Sequence, residues 1–162
     1  MHFLFEYIPG KELKKTLANA DCPTTKEEID KKFLSREYMM IEYESIKALY
    51  EFQFLNLYNL NRYLNLVLPE DFEFRKVSYQ KNIELLYNQG VLDCYRNEDG
   101  LKAYCLSESA YRYFSEQKQT YRKAYFYRQQ DSLTTQDILK KLSVNQYHIS
   151  VLHYIFLTFR AN

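Results

Sequence analysis

The chain has 162 residues, 22 Lys and Arg against 21 Asp and Glu, 17 Tyr and 11 Phe without Trp, and only three Gly and three Pro. That length supports one core domain with an appendage, held without disulfides or metal. A hydrophobic share of 46% with so little Gly and Pro excludes a disordered chain and favours helices, while a net charge of +1 gives no bulk argument for nucleic acid.

The distribution of charge says slightly more than the sum. Residues 1–70 carry nine basic and eleven acidic side chains, and residues 71–130 carry ten and eight. Within the second block Arg75, Lys76 and Lys81 lie close together, and Lys118, Arg122, Lys123 and Arg128 are interleaved with Tyr121, Tyr125, Phe126 and Tyr127. Three cysteines, Cys22, Cys94 and Cys105, without a secretory pattern predict a reducing compartment and a cytoplasmic protein. Met1–Gly10 is apolar but short and contains Glu6, so it fits neither a signal peptide nor a membrane span.

Residues 1–24 show no period. Thr25 with Glu28 forms a capping-box pattern ahead of Ile29 and Phe33, which predicts a short helix over about 26–36. Met39-Met40-Ile41 reads as a brief strand, and Ile46, Leu49, Tyr50 and Phe52 as the apolar face of a helix over 43–53. Asn56 caps a second helix carrying Leu57, Leu60, Tyr63 and Leu64, which stops before Leu68-Pro69. Asp71 caps a third, which runs to about Gln89 with Tyr79, Ile83 and Leu86 as its buried stripe, and Gly90 is placed to end it in a left-handed conformation.

After Gly90 the period becomes alternating. Val91–Arg96, the turn Asn97-Glu98-Asp99-Gly100 and the return Leu101–Leu106 predict a hairpin, and Ser107 caps a fourth helix with Ala110, Tyr113 and Phe114. At the C-terminus, Thr134–Leu142 and Asn145–Phe159 read as two helices meeting near Ser143. They form either a helical hairpin with a wide apolar surface suited to homodimerisation, the favoured reading, or a second helix-turn-helix in which Asn145, Gln146 and His148 read bases.

The run Leu85-Leu86-Tyr87-Asn88-Gln89-Gly90-Val91-Leu92-Asp93-Cys94-Tyr95, the charged hairpin and Tyr104-Cys105-Leu106-Ser107-Glu108-Ser109-Ala110-Tyr111-Arg112-Tyr113-Phe114 resemble winged-helix regulators over residues 39–115. Glu44-Ser45-Ile46-Lys47-Ala48-Leu49-Tyr50 and Leu142-Ser143-Val144-Asn145-Gln146-Tyr147 are similar to the replication-relaxation type of winged-helix protein from plasmids and conjugative elements; Ala110 departs from the Gly usual after the wing. The resemblance implies a mainly helical fold with a small β-hairpin wing, a winged helix-turn-helix core with extra N- and C-terminal helices. The expected divisions are an extension over 1–38, the winged helix over 39–117, and a basic, aromatic connector with a helical hairpin over 118–162.

It also implies that the third helix enters the major groove of double-stranded DNA while the wing touches backbone. The expected DNA contacts are Arg75, Lys76, Ser78, Gln80 and Lys81 on that helix, Arg96 and Lys102 beside the wing tip, and Arg122 and Lys123 in the connector. Glu98 and Asp99 at the tip oppose such contact. A protein-interaction module that does not bind DNA is the alternative.

Chemistry has little to stand on. Gly10, Gly90 and Gly100 are too far apart for a phosphate loop, no nucleophile motif is present, and His148 and His153 with non-C-x-x-C cysteines make no zinc pattern. No enzyme activity, cofactor, metal or small-molecule ligand is expected. Glu42, Glu44 and Glu51 read as helix-surface charges, and Cys94 and Cys105 as a remote redox pair should the hairpin register place them opposite each other.

Overall fold

Local signals set most of the elements. The structure, a computed structural model, describes residues 5–16, 25–35, 40–68, 76–118 and 133–160. In chain order these form β1 (Lys14–Thr16), α1 (Lys26–Leu34), α2 (Met40–Phe52), α3 (Leu57–Val67), α4 (Lys76–Asn88), β2 (Leu92–Arg96), β3 (Lys102–Leu106), α5 (Glu108–Lys118) and α6 (Thr135–Arg160). The fold is mainly helical with one small antiparallel sheet.

Capping chemistry appears where the sequence placed it. The Thr25 amide donates to Glu28 Oε2 at 2.8 Å and the Glu28 amide to Thr25 Oγ1 at 3.2 Å, a reciprocal box that satisfies two otherwise orphaned N–H groups of α1. Asn56 Oδ1 accepts from the Asn59 amide at 2.9 Å to start α3, and Ser107 Oγ accepts from the Ala110 amide at 3.4 Å to start α5. At the end of α4, Gly90 takes φ +76°, and the amides of Gly90 and Val91 donate to Tyr87 O and Leu86 O at 3.0 Å each. This is a Schellman turn, which needs the left-handed conformation that glycine adopts without a Cβ penalty. Asp71 lies outside the described residues.

The sheet runs in the order β1-β2-β3. Arg96 pairs with Lys102 and Leu92 with Leu106 in the hairpin, while Lys14 pairs with Arg96 and Thr16 with Cys94 on its outer side. Beyond β3, Leu55 between α2 and α3 exchanges backbone hydrogen bonds with Tyr104 at 3.2 and 2.9 Å. Helix, bridge, helix, helix and hairpin around one sheet is the order of a winged helix, with β1 as an added strand.

Both faces of the sheet are covered, by different partners. Leu92, Cys94, Tyr104 and Leu106 join Ile46, Leu49, Leu60, Leu64, Ile83 and Leu86 in the larger core among the helices. Tyr95, Ala103 and Cys105 face Leu13, Phe54, Ile138, Leu139 and Leu142 in a smaller core under α6. Alternation along the strands divides the residues in this way, and burial on both sides turns β2 and β3 into nearly unbroken buried runs.

Four expectations are corrected. The segment starting at Met40 is helical, not a strand: α2 begins there, three residues before the predicted start, because Ile41 and Ser45 extend the buried face of Ile46 and Leu49 backwards. Glu42 is consequently buried in the first turn of α2, where the N-terminal end of the helix dipole favours a carboxylate, rather than on the surface. Residues 14–16, which carry no period, form β1. Lastly, α6 is one helix of 26 residues, so neither a hairpin nor a second helix-turn-helix exists at Ser143.

The continuity of α6 rests on contacts with distant segments as well as on its own turn. Nothing at Ser143 breaks a helix: its hydroxyl donates back to Leu139 O at 2.9 Å and accepts from the Phe5 amide at 3.3 Å, so the helix passes through a site that tolerates a buried hydroxyl. Asn145 is buried and its Nδ2 donates to Phe52 O at 2.8 Å and Phe54 O at 2.7 Å. Its side chain satisfies two carbonyls in the turn between α2 and α3. Gln53 in that turn takes φ +74°, and the clamp holds this strained backbone in place.

Candidate nucleic-acid interface

The surface beside α4 and the wing is built from register. Arg96 ends β2 and Lys102 begins β3, and they stand directly opposite each other, so their side chains leave the same face of the sheet. Arg96 reaches α4: its Nη2 donates to the Tyr87 hydroxyl at 3.1 Å, and its guanidinium lies 5.9 Å from the Tyr87 ring centre. This fixes the direction in which the rung points. Lys14 of β1 is opposite Arg96 on the other side, so Lys14, Arg96 and Lys102 form one cationic rung across three strands, roughly 10 Å wide.

All three are exposed, and none forms an ion pair with a carboxylate of the described residues. Like charges directly opposite on neighbouring strands destabilise a sheet. An anion laid across the rung would remove that repulsion. The expected wing contacts, Arg96 and Lys102, are thus brought together, and Lys14 joins them. The sequence reading missed Lys14 because β1 was not foreseen.

Between the rung and the end of α4 lies a shallow cleft of about 180 Å³, lined by Glu84, Tyr87, Asn88, Cys94, Arg96, Lys102 and Tyr104. Tyr104 is buried, and burial pushes its hydroxyl up to about 12, with the negative charges of Cys94 and Glu84 adding to the rise. It therefore presents a neutral hydroxyl at any physiological pH. The Cys94 thiol is also pushed up by burial, although Arg96 and Lys102 pull the other way. A thiol so placed is a poor nucleophile.

The register also disposes of the redox pair. Cys105 is opposite Asp93 and Cys94 is opposite Tyr104, which sends the two sulfurs to opposite faces of the sheet and into different cores. Both cysteines are buried, and neither is in a disulfide.

On α4 the exposed face carries Gln80, Lys81, Glu84, Leu85 and Asn88, with Ile83 and Leu86 buried behind it. Gln80 Nε2 donates to Glu84 Oε1 at 3.2 Å. Lys76 and Ser78 lie in the first turn of α4, but their side chains, like that of Tyr79, fall outside the described residues; Arg75, Arg122 and Lys123 lie outside them altogether. Of the nine expected contacts, the structure places Gln80, Lys81, Arg96 and Lys102 on one continuous side of the molecule. That face is chemically varied, since lysine pairs with guanine edges, carboxylate with the cytosine amino group, asparagine with adenine and leucine with a thymine methyl.

The acidic wing tip is partly neutralised from within. Lys11 Nζ lies 2.8 Å from Asp99 Oδ2 and donates to Oδ1 at 2.9 Å, so the N-terminal segment supplies the tip's counter-charge. Asn97 Oδ1 accepts from the Asp99 and Leu101 amides at 3.1 Å each and shapes the turn around Gly100, whose φ is +84°. Glu98 remains exposed.

The residues assigned to a second reading helix do other work. Asn145 is the clamp described above. Gln146 Oε1 accepts from Asn59 Nδ2 at 3.2 Å, and His148 packs edge-on against Phe52 at 5.4 Å between ring centres. Among the described residues no group of three His, Cys, Asp or Glu side chains gathers as a metal site, and no helix is long and apolar enough to cross a membrane. No protein-family model matches the chain, and no curated protein or solved structure is detectably similar to it.

Proposed function

We propose that the chain binds double-stranded DNA, with α4 in the major groove and the wing on the adjacent backbone. The observation that supports this reading is the rung of Lys14, Arg96 and Lys102, three mutually repelling cations beside the polar face of α4. Phosphates relieve that repulsion, and the α4 side chains then meet base edges. In this reading Lys14, Arg96 and Lys102 position the duplex, while Gln80, Lys81, Glu84 and Asn88 supply specificity. The protein acts in the cytoplasm without catalysis, as a transcriptional regulator or a plasmid replication or conjugation accessory factor, and two copies engage a two-fold DNA site.

The test is a fluorescence-anisotropy titration of labelled duplexes, taken from the intergenic DNA around its own gene, across a salt series. The wild-type chain is expected to bind one duplex tightly, with log affinity falling linearly against log salt. Replacing Lys14, Arg96 and Lys102 by Ala should reduce the salt slope by about three and weaken all duplexes alike, whereas Lys81→Ala should cost about 1–3 kcal/mol on the preferred duplex only. Flat titrations for every duplex at moderate salt would exclude the proposal and favour the protein-interaction module.

A further inference from the structure

The last four turns of α6, from Val144 onward, carry half of the exposed large hydrophobic side chains among the described residues. On the side facing the body, Leu142, Asn145 and Ile149 are buried, and His153 Nε2 meets Arg62 O at 2.9 Å. The opposite side carries Val144, Tyr147, Val151, Tyr154 and Thr158, spaced by three, four, three and four residues, with Ile155 and Phe159 alongside. Each of these is exposed, Val151 by 53% and Tyr154 by 73%. A stripe alternating by three and four is the seam on which one helix packs against another, knobs into holes.

We infer that this seam is a homodimer interface, in which α6 of one chain packs along α6 of a second copy. Three observations select a second copy as the occupant. From Leu142 to Phe159 there is no Asp, Glu, Lys or Arg, so the stripe meets its own copy without like-charge repulsion and offers nothing to an oppositely charged partner. The seam side chains expose on the order of 600 Å² per copy, close to the roughly 800 Å² per partner typical of stable dimers. The spacing, finally, fits another helix of the same pitch better than a flat surface. This interface is the reverse face of a continuous helix, and it stands whether or not the wing binds DNA.

The experiment is sedimentation equilibrium of the full chain without DNA, at tens of micromolar. The expected mass is twice the 19.7 kDa of one chain. A Val151→Glu, Tyr154→Glu double variant should weaken the dimer at least ~100-fold and sediment as one chain, with an unchanged far-UV circular dichroism spectrum, because both side chains are exposed in the protomer. Should the glutamates disturb folding, Val151→Ser with Tyr154→Ser provides the same comparison with a smaller shift in the same direction. A wild-type chain that sediments singly overturns the inference, as does a folded variant that remains paired. A single chain that floats with neutral phosphatidylcholine vesicles would instead assign the face to a lipid surface and overturn it equally.

Discussion

The two halves of α6 both carry apolar residues and are opposite in circumstance. In the N-terminal half, Ile138, Leu139 and Leu142 are buried in the smaller core against the sheet, and Asn145 is bonded to two carbonyls of the turn after α2. In the C-terminal half, Val151, Tyr154, Leu157 and Phe159 are exposed although they are as apolar as the first group. Burial along this helix is therefore decided by where the body ends, not by the residues on it. A helix that is apolar all round has to be covered on more than one side, and the fold covers only one.

The sharpest way to break that comparison is to delete equivalent volume in each half. Leu142→Ala should cost about 3 kcal/mol, because a fully buried side chain leaves a cavity between α6 and the sheet. Leu157→Ala, at an exposed position away from the seam, should stay within about 0.5 kcal/mol. Urea unfolding of both variants measures the difference, and equal losses would refute the division.

A polar clamp should behave like the core. Asn145→Ala leaves the carbonyls of Phe52 and Phe54 without this donor, and a cost of about 2 kcal/mol is expected, the lower end of what two such buried losses would give. Thr134→Ala tests the start of the same helix. Thr134 and Asp137 form a capping box in which the Thr134 amide donates to Asp137 Oδ2 at 2.9 Å and the Asp137 amide to Thr134 Oγ1 at 3.3 Å. Its removal should cost about 1 kcal/mol in thermal unfolding.

The smallest effects are those of pH, and two aspartates should act in opposite directions. Hydrogen bonds from Thr134 hold the Asp137 carboxyl below its ordinary value, so its contribution is present above the unfolded carboxylate pKa and is lost as pH falls through the folded one. Burial raises Asp93, against the opposing pull of Lys15, whose Nζ lies 3.5 Å away. Its unfolded form gives up the proton first, so stability falls as pH rises from the ordinary aspartate pKa to the raised folded one, and is flat above it. Asp93→Asn should remove that fall and leave the acid-side loss from Asp137. A melting-temperature profile from pH 3 to pH 7 that is unchanged in Asp93→Asn would show that Asp93 titrates normally.

The candidate interface was legible only in part. Gln80, Lys81, Arg96 and Lys102 could be named from the change of period at Gly90 and the hairpin that follows, because a Schellman glycine and an alternating run are local signals. Lys14 had no such signal. A three-residue strand has no period of its own, and it exists because β2 offers an unpaired edge whose amides and carbonyls need partners.

What the sequence determined by itself was therefore whatever short-range chemistry decides: the capping box at Thr25, the N-cap at Asn56, the end of α4 at Gly90, the hairpin between Arg96 and Lys102, and the helices between them. The tertiary structure alone decided the unbroken course of α6 through Ser143, the burial of Glu42, the separation of Cys94 from Cys105 and the addition of Lys14 to the wing. Two of these depend on a partner far along the chain, a carbonyl at Phe52 for Asn145 and a sheet edge at β2 for Lys14, and the separation of the cysteines depends on the pairing register of the hairpin. Local propensity is silent wherever the deciding contact is made by a residue that is distant in sequence and near in space.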